Sequence, residues 1–206
     1  MISSISRRVR LVLHQPDEEA APAAPGTDDL AEVEFVAYAE DGRLSGRIRL
    51  DSSRLTDMLN ENDEYLLEGV LAERLPDGET MVIPEFLVRR HELLLVHATG
   101  PRGDRSRRTR TQVRAITLRS GPYLVTGDVH TAAGLDPLLY FRRRRPMVPL
   151  TDATVEYRTA HGPVQEYVGS IVVNRDLMDW VRAIDEGDAI AAHAGGAPAR
   201  IGRPTT

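Results

Sequence analysis

The chain has 206 residues, with 26 basic and 31 acidic side chains, a formal net charge of −5, no Cys, and one Trp, six Tyr and three Phe. A hydrophobic fraction of 41% with 28% charged residues fits a globular chain and is too apolar for a wholly disordered one. The missing Cys exclude a disulfide scaffold, a thiolate metal site and a Cys nucleophile, and no apolar run approaches the ~20 residues that span a bilayer.

The opening MISSISRRVRLVLHQPDEE has a short apolar patch after Arg7, Arg8 and Arg10, then runs into acid with no small-residue cleavage site. It does not read as a secretory signal, and a cytoplasmic location without membrane contact is expected. Residues 15–31, QPDEEAAPAAPGTDDLA, are rich in Pro, Ala and acid without apolar period, so 1–31 reads as a flexible tail. Residues 99–112, TGPRGDRSRRTRTQ, read as an Arg-rich linker, and 187–206 as a second flexible tail. Two ordered blocks remain, 32–98 and 113–186.

The blocks resemble one another. Phe35, Ala37, Leu44, Gly46 and Ile48 fall against Ile116, Leu118, Val125, Gly127 and Val129; Leu55, Met58 and Leu59 fall against Leu135, Leu138 and Leu139. MVIPEFLVRRHELLLVHA aligns without a gap on EYVGSIVVNRDLMDWVRA, residues 81–98 on 166–183. Three segments in one order at near-constant offsets point to a duplication.

In chain order, Phe35 and Ala37, then Leu44, Ile48 and Leu50 alternate with polar residues across Glu40-Asp41-Gly42, a hairpin signal because Asp-Gly tolerates positive φ. Leu55, Met58 and Leu59 at i, i+3, i+4 predict a short amphipathic helix. YLLEGVLAERL follows as a third strand, PDGE at 76–79 as a turn, and a fourth strand runs through Val82, Phe86 and Val88. Block two repeats this with Ser120-Gly121-Pro122 as its first turn, MVPLTDATVEYR as third strand, AHGP at 160–163 as a turn, and a strand through Val168, Ile171 and Val173. Gly46 and Gly127 inside second strands mark bends or bulges, as a small barrel requires. The closing segment presents a conflict. Leu177, Trp180, Val181 and Ile184 have helical spacing, whereas the aligned Leu93–Val96 reads as a buried strand. The repeat decides for a closing strand over 177–183, with Trp180 packing as Leu95 does, since a sheet without its last strand leaves an open edge and an unfilled core. The expected fold is therefore all-β with minor α: two tandem five-stranded small barrels, each with one short helix.

VEFVAYAEDGRLSGRIRLD resembles the first motif of Sm-like (LSm/Hfq) proteins, with alternating apolar residues, a turn Gly, then a Gly before a bent strand ending at Asp51. FLVRRHELLLV at 86–96 resembles their second motif, where Arg89 matches a basic residue. SH3-like barrels share both patterns, and duplicated copies of this kind also resemble bacterial domains of unknown function. The resemblance implies barrels that join edge to edge into rings and bind single-stranded RNA at loop residues. Against that pattern, Arg90 and Arg175 stand where the motif has Gly, Asn174 replaces the basic residue, and the Met-Asn pair after Asp51 is missing.

Every basic residue is Arg; a coding bias toward Arg and Ala is the simpler account, although the guanidinium fork suits phosphate. Arg142, Arg143, Arg144 and Arg145, after Tyr140 and Phe141, form the sharpest local feature, a phosphate patch beside stacking aromatics or a solvent loop paired with neighbouring acids. Arg89 and Arg90 join them as candidate nucleic-acid contacts. The six His include no pair at metal-ligand spacing, no GxGxxG, GxxxxGK[ST], HExxH or GxSxG occurs, and Asp152, Glu156, Asp176 and Asp179 read as a solvated face. The expectation is a non-enzymatic scaffold or interaction module without catalytic residues, metal or cofactor, taking a protein partner or another copy through open barrel edges. Its alternative is RNA binding through the Arg-rich loops.

Overall fold

The computed structural model describes residues 30–100 and 111–184. Apart from a few residues at their margins, the expected tails and the Arg-rich linker lie outside the described residues.

One order of elements occurs twice. β1 (Glu32–Tyr38), β2 (Gly42–Arg49), α1 (Leu55–Glu61), β3 (Glu64–Arg74), β4 (Thr80–Arg89), a 3₁₀ turn (Arg90–Glu92) and β5 (Leu95–His97) make the first half. β6 (Gln112–Ser120), β7 (Tyr123–Thr131), α2 (Pro137–Arg143), β8 (Met147–Thr159), β9 (Gly162–Asn174), a 3₁₀ turn (Arg175–Leu177) and β10 (Trp180–Ala183) make the second. The fold is all-β with two short helices. The ten strands of the described residues form one open antiparallel sheet in the order β10-β6-β7-β8-β9-β5-β1-β2-β3-β4. Within each half the fifth strand lies beside the first, followed by the second, third and fourth. The halves meet where β5 pairs β9, with Leu95 opposite Val173, Val96 opposite Val172 and His97 opposite Ile171.

Strict alternation builds the strands. In β7 every odd-numbered residue from Tyr123 to Thr131 is buried and the even ones are half-exposed, the period-2 pattern of a one-sided strand. Two cores result. Phe35, Ala37, Leu44, Ile48, Leu59 and Leu67 lead the first; Ile116, Leu118, Tyr123, Val125, Leu150 and Val155 lead the second.

The second strand of each half bends at its glycine, where the pairing register shifts between Ser45 and Arg47 and between Thr126 and Asp128. The left-handed residue of each bulge sits on the partner strand, at Gly69 (φ 59°) and Asp152 (φ 49°). Gly46 and Gly127 serve instead for close approach. A Cβ at Gly46 would lie 3.0 Å from the Glu68 carbonyl oxygen, and one at Gly127 would lie 3.0 Å from the Ala153 Cβ. The Asp-Gly turn differs from expectation too, since Gly42 has no positive φ; a Cβ there would meet the Glu73 carbonyl oxygen at 2.8 Å.

Two correspondences need correction. Leu135 and Leu139, aligned with Leu55 and Leu59, are exposed, and Phe141 is buried instead. The cause is local: Asp136 caps the helix by accepting from the Leu138 and Leu139 N–H groups, and Pro137 starts it, so helix and apolar face begin two residues after Leu135. The closing segment expected as strand over 177–183 is strand only over Trp180–Ala183, β10, since Leu177 still belongs to the 3₁₀ turn, and Trp180 does not pack as Leu95 does. Leu95 is fully buried whereas Trp180 is 42% exposed, because β9 lies beside β5 while among the described residues no strand lies on the outer side of β10.

Candidate functional site

The β5–β9 junction is an exchange of side chains. Leu95, from the first half, enters the core of the second, together with Val36, Tyr38, Leu75 and Leu94. Met147 and Val172, from the second half, enter the core of the first. Asn174, buried, donates from Nδ2 to the Arg90 and Leu93 carbonyls.

Four strands bring a polar cluster to this seam. The Tyr38 hydroxyl lies 2.9 Å from His97 Nε2 and 3.1 Å from Glu166 Oε2. Arg43 extends over the Tyr38 ring, 5.7 Å from its centroid, with Nη2 3.7 Å from Glu166. The Tyr123 hydroxyl donates to the Ala39 and Gly42 carbonyls at 2.9 and 3.1 Å, across the seam, and its ring meets Tyr38 edge-on at 5.1 Å. Burial raises the Tyr38 and Tyr123 hydroxyls well above the ordinary tyrosine range and lowers His97 below the ordinary imidazole value. The tyrosines therefore act as hydrogen-bond donors that tie the halves together. No local sequence pattern marks this cluster: β1 pairs both β2 and β5, which brings Tyr38, Arg43 and His97 together, and the β5–β9 pairing adds Glu166.

Among the described residues the sheet ends on two unpaired edges, β4 and β10. β4 exposes Met81, Val82 (75%) and Leu87 (55%), with Leu66 and Leu71 exposed beside them on β3. β10 exposes Trp180. By the ungapped alignment of 81–98 on 166–183, Leu87 stands where Val172 does and Trp180 where Leu95 does.

The candidate arginines separate into groups. Arg90 Nη1 donates to the Asn60 and Asn62 carbonyls, both at 3.3 Å, and Nη2 pairs Asp63. It closes the C-terminal end of α1. Beside it the Tyr65 hydroxyl, pushed up to about 12 by burial, donates to the Leu59 and Asn62 carbonyls. Arg175 does the same at α2, donating to the Arg142 and Arg144 carbonyls while pairing Asp176. Arg89 pairs Glu64 at 3.0 Å on the exposed face. Arg142 to Arg145 are all exposed at the end of α2, with the Arg144 guanidinium 4.3 Å over the Tyr140 ring. Arg90 and Arg175 thus serve helix ends, Arg89 serves an exposed ion pair, and Arg142–Arg145 stand exposed after α2.

The four carboxylates each have a hydrogen-bond partner of their own. Asp152 accepts from the Tyr167 hydroxyl at 2.9 Å, Glu156 from Gln165, Asp176 from Arg175 and Asp179 from the Gly121 N–H. Among the described residues no group of three or more His, Asp or Glu could hold a metal ion, and no helix is long and apolar enough to cross a membrane. No family model, curated protein or solved structure matches the chain.

Proposed function

We propose that the chain is a non-enzymatic interaction module, two Sm-like small barrels in tandem whose free edges take up another copy of the chain or a partner strand. One observation carries this reading. The β5–β9 junction buries Leu95 and Val172 by mutual exchange, while their equivalents Trp180 and Leu87, on the two unpaired edges, stand 42% and 55% exposed. The exposed pair has the shape of a second junction left open.

The open edges have complementary positions: one is the fourth strand of its half and the other the fifth, as in β9 and β5. A head-to-tail contact of this kind repeats, closing into a ring or running on as a filament according to its rotation. Transferring the internal register sets Trp180 opposite Val88, Val181 opposite Leu87 and Arg182 opposite Phe86. Pro84 falls opposite the Gly69 bulge in the β3–β4 register and lacks an N–H, which confines edge pairing to the end of β4 beyond it. Arg89 stands where Asn174 does, and its guanidinium supplies donors for carbonyls of the next unit.

Light scattering across a concentration series tests this. The wild-type mass should rise with concentration, and Leu87→Arg and Trp180→Arg should each block one edge and hold the mass down. An equimolar mixture of the two variants retains one sound β4 and one sound β10 edge and should form dimers only. A monomer at every concentration, with no response on adding a synthetic peptide of residues 80–89, would overturn the proposal.

A further inference from the structure

The two halves act as controls for one another. α1 and α2 each have seven residues, and each ends on carbonyls held by an arginine from the following 3₁₀ turn, Arg90 or Arg175. α1 has no basic residue in its last turn and is followed by Asn62, Asp63 and Glu64. The fold thus closes this helix end with one arginine from outside the helix, and favourable interaction of cations with the helix dipole is not a requirement of it. Arg142, Arg143, Arg144 and Arg145 are surplus to the architecture.

Their setting is that of a site for anions. All four are exposed, and none has a carboxylate within ion-pair distance among the described residues. The acids closest in sequence and hydrogen bonding are engaged elsewhere, Asp136 with the helix N-terminus and Asp176 with Arg175. The Arg144 guanidinium stacked on Tyr140 makes a planar platform of the kind on which an unpaired base stacks. Forks on either side of it match phosphate oxygens two at a time. An acidic peptide would use the forks and leave the platform idle.

We infer that the C-terminal end of α2 binds single-stranded nucleic acid, with Tyr140 and Arg144 stacking a base and Arg142, Arg143 and Arg145 holding the flanking phosphates. The test is fluorescence anisotropy of a fluorescein-labelled oligoadenylate with the full chain over a salt series. Wild type should bind at low salt, with log K falling linearly in log salt. In Arg142→Ser/Arg143→Ser/Arg145→Ser the slope should drop by roughly 2, at about 0.7 per phosphate contact. Tyr140→Leu keeps an apolar side chain against the core and should weaken binding about tenfold with the slope unchanged, as one lost base stack would. Should the triple variant melt early, the single Arg143→Ser reads the same effect as a drop of about 0.7. Absence of binding at low salt overturns the inference. So does an unchanged slope in the variants, which would move binding to the arginines between 102 and 110. Displacement of the oligonucleotide by polyglutamate at matched charge overturns it in favour of an acidic partner.

Discussion

Leu95 and Trp180 occupy equivalent places at the start of the last strand of their halves, and one is fully buried while the other is 42% exposed. The difference lies in the neighbour. Leu95 crosses the seam into the second core because β9 pairs its strand, whereas among the described residues no strand lies beyond β10. A large aromatic on an unpaired edge is a surface that natural sheets ordinarily cover or charge, and this relationship links the fold to the proposed edge pairing.

The strand glycines should be intolerant of side chains for a steric reason. At Gly127 a Cβ would lie 3.0 Å from the Ala153 Cβ, 3.2 Å from its Cα and 3.3 Å from the Thr151 carbonyl oxygen. At Gly46 it would lie 3.0 Å from both the Glu68 carbonyl oxygen and Val70 Cγ2. Gly46→Val and Gly127→Val should each destabilise the protein by roughly 1–3 kcal/mol, since crowding of this kind forces the bend to open. Urea midpoints equal to wild type for both would show that the bend yields freely.

The arginines of the two 3₁₀ turns should prove structural. Arg90→Ala and Arg175→Ala each strip donors from two carbonyls at a helix end and should cost about 1–3 kcal/mol. Lys at either position should recover part of the loss, because an ammonium donates but lacks the second guanidinium nitrogen that also meets Asp63 or Asp176. Chemical denaturation with each half's own variant reads this, and stability unchanged in both would mean that water serves those carbonyls equally well.

Acidification should weaken the seam through His97. Burial is the main cause that lowers its pKa; Glu166 and Glu34 oppose the shift, and Arg43 adds to it. In the unfolded chain the imidazole gains a proton as pH falls through about 6.5, and in the folded chain it does so only at lower pH. Between those values the unfolded state holds more protons, so stability is full above about pH 6.5 and falls as pH drops toward the folded value. His97→Gln keeps a polar partner for Tyr38 and removes the titration. Its denaturation midpoint should change less than that of wild type between about pH 7.5 and about pH 5; equal changes in both would assign the pH dependence to other groups.

Much of this architecture was legible in the residues, for identifiable reasons. Strand alternation and turn residues are local signals, and the internal repeat lent its weight where local signals failed: 180–183 is a strand despite the helical spacing of Leu177, Trp180, Val181 and Ile184. Leucine spacing misplaces the register of α2, which the Asp136-Pro137 cap sets. The packing of Trp180 and the Tyr38–His97–Glu166 contact were not legible at all. Both depend on which strand lies beside the fifth strand of each half, a pairing between residues far apart in sequence that no local pattern specifies. Arg90 read as a binding residue because its structural use lies in two carbonyls thirty or so positions earlier, outside any motif.

Trp180 is the chain's only tryptophan, so its fluorescence reports the β10 edge without a label. With the edge unpaired, the indole is partly in water and should emit at long wavelength and be open to acrylamide quenching. If a second copy lays its β4 against β10, the ring passes into an apolar core as Leu95 does. Emission should then move to shorter wavelength and quenching fall as concentration rises. Leu87→Arg alters only the opposite edge, leaving Trp180 and its surroundings intact, yet it should hold emission at the long-wavelength limit at every concentration, because the partner edge that would cover Trp180 is lost. A wild-type spectrum that stays constant while the scattering mass rises would place association on some other surface and remove the β10 edge from it.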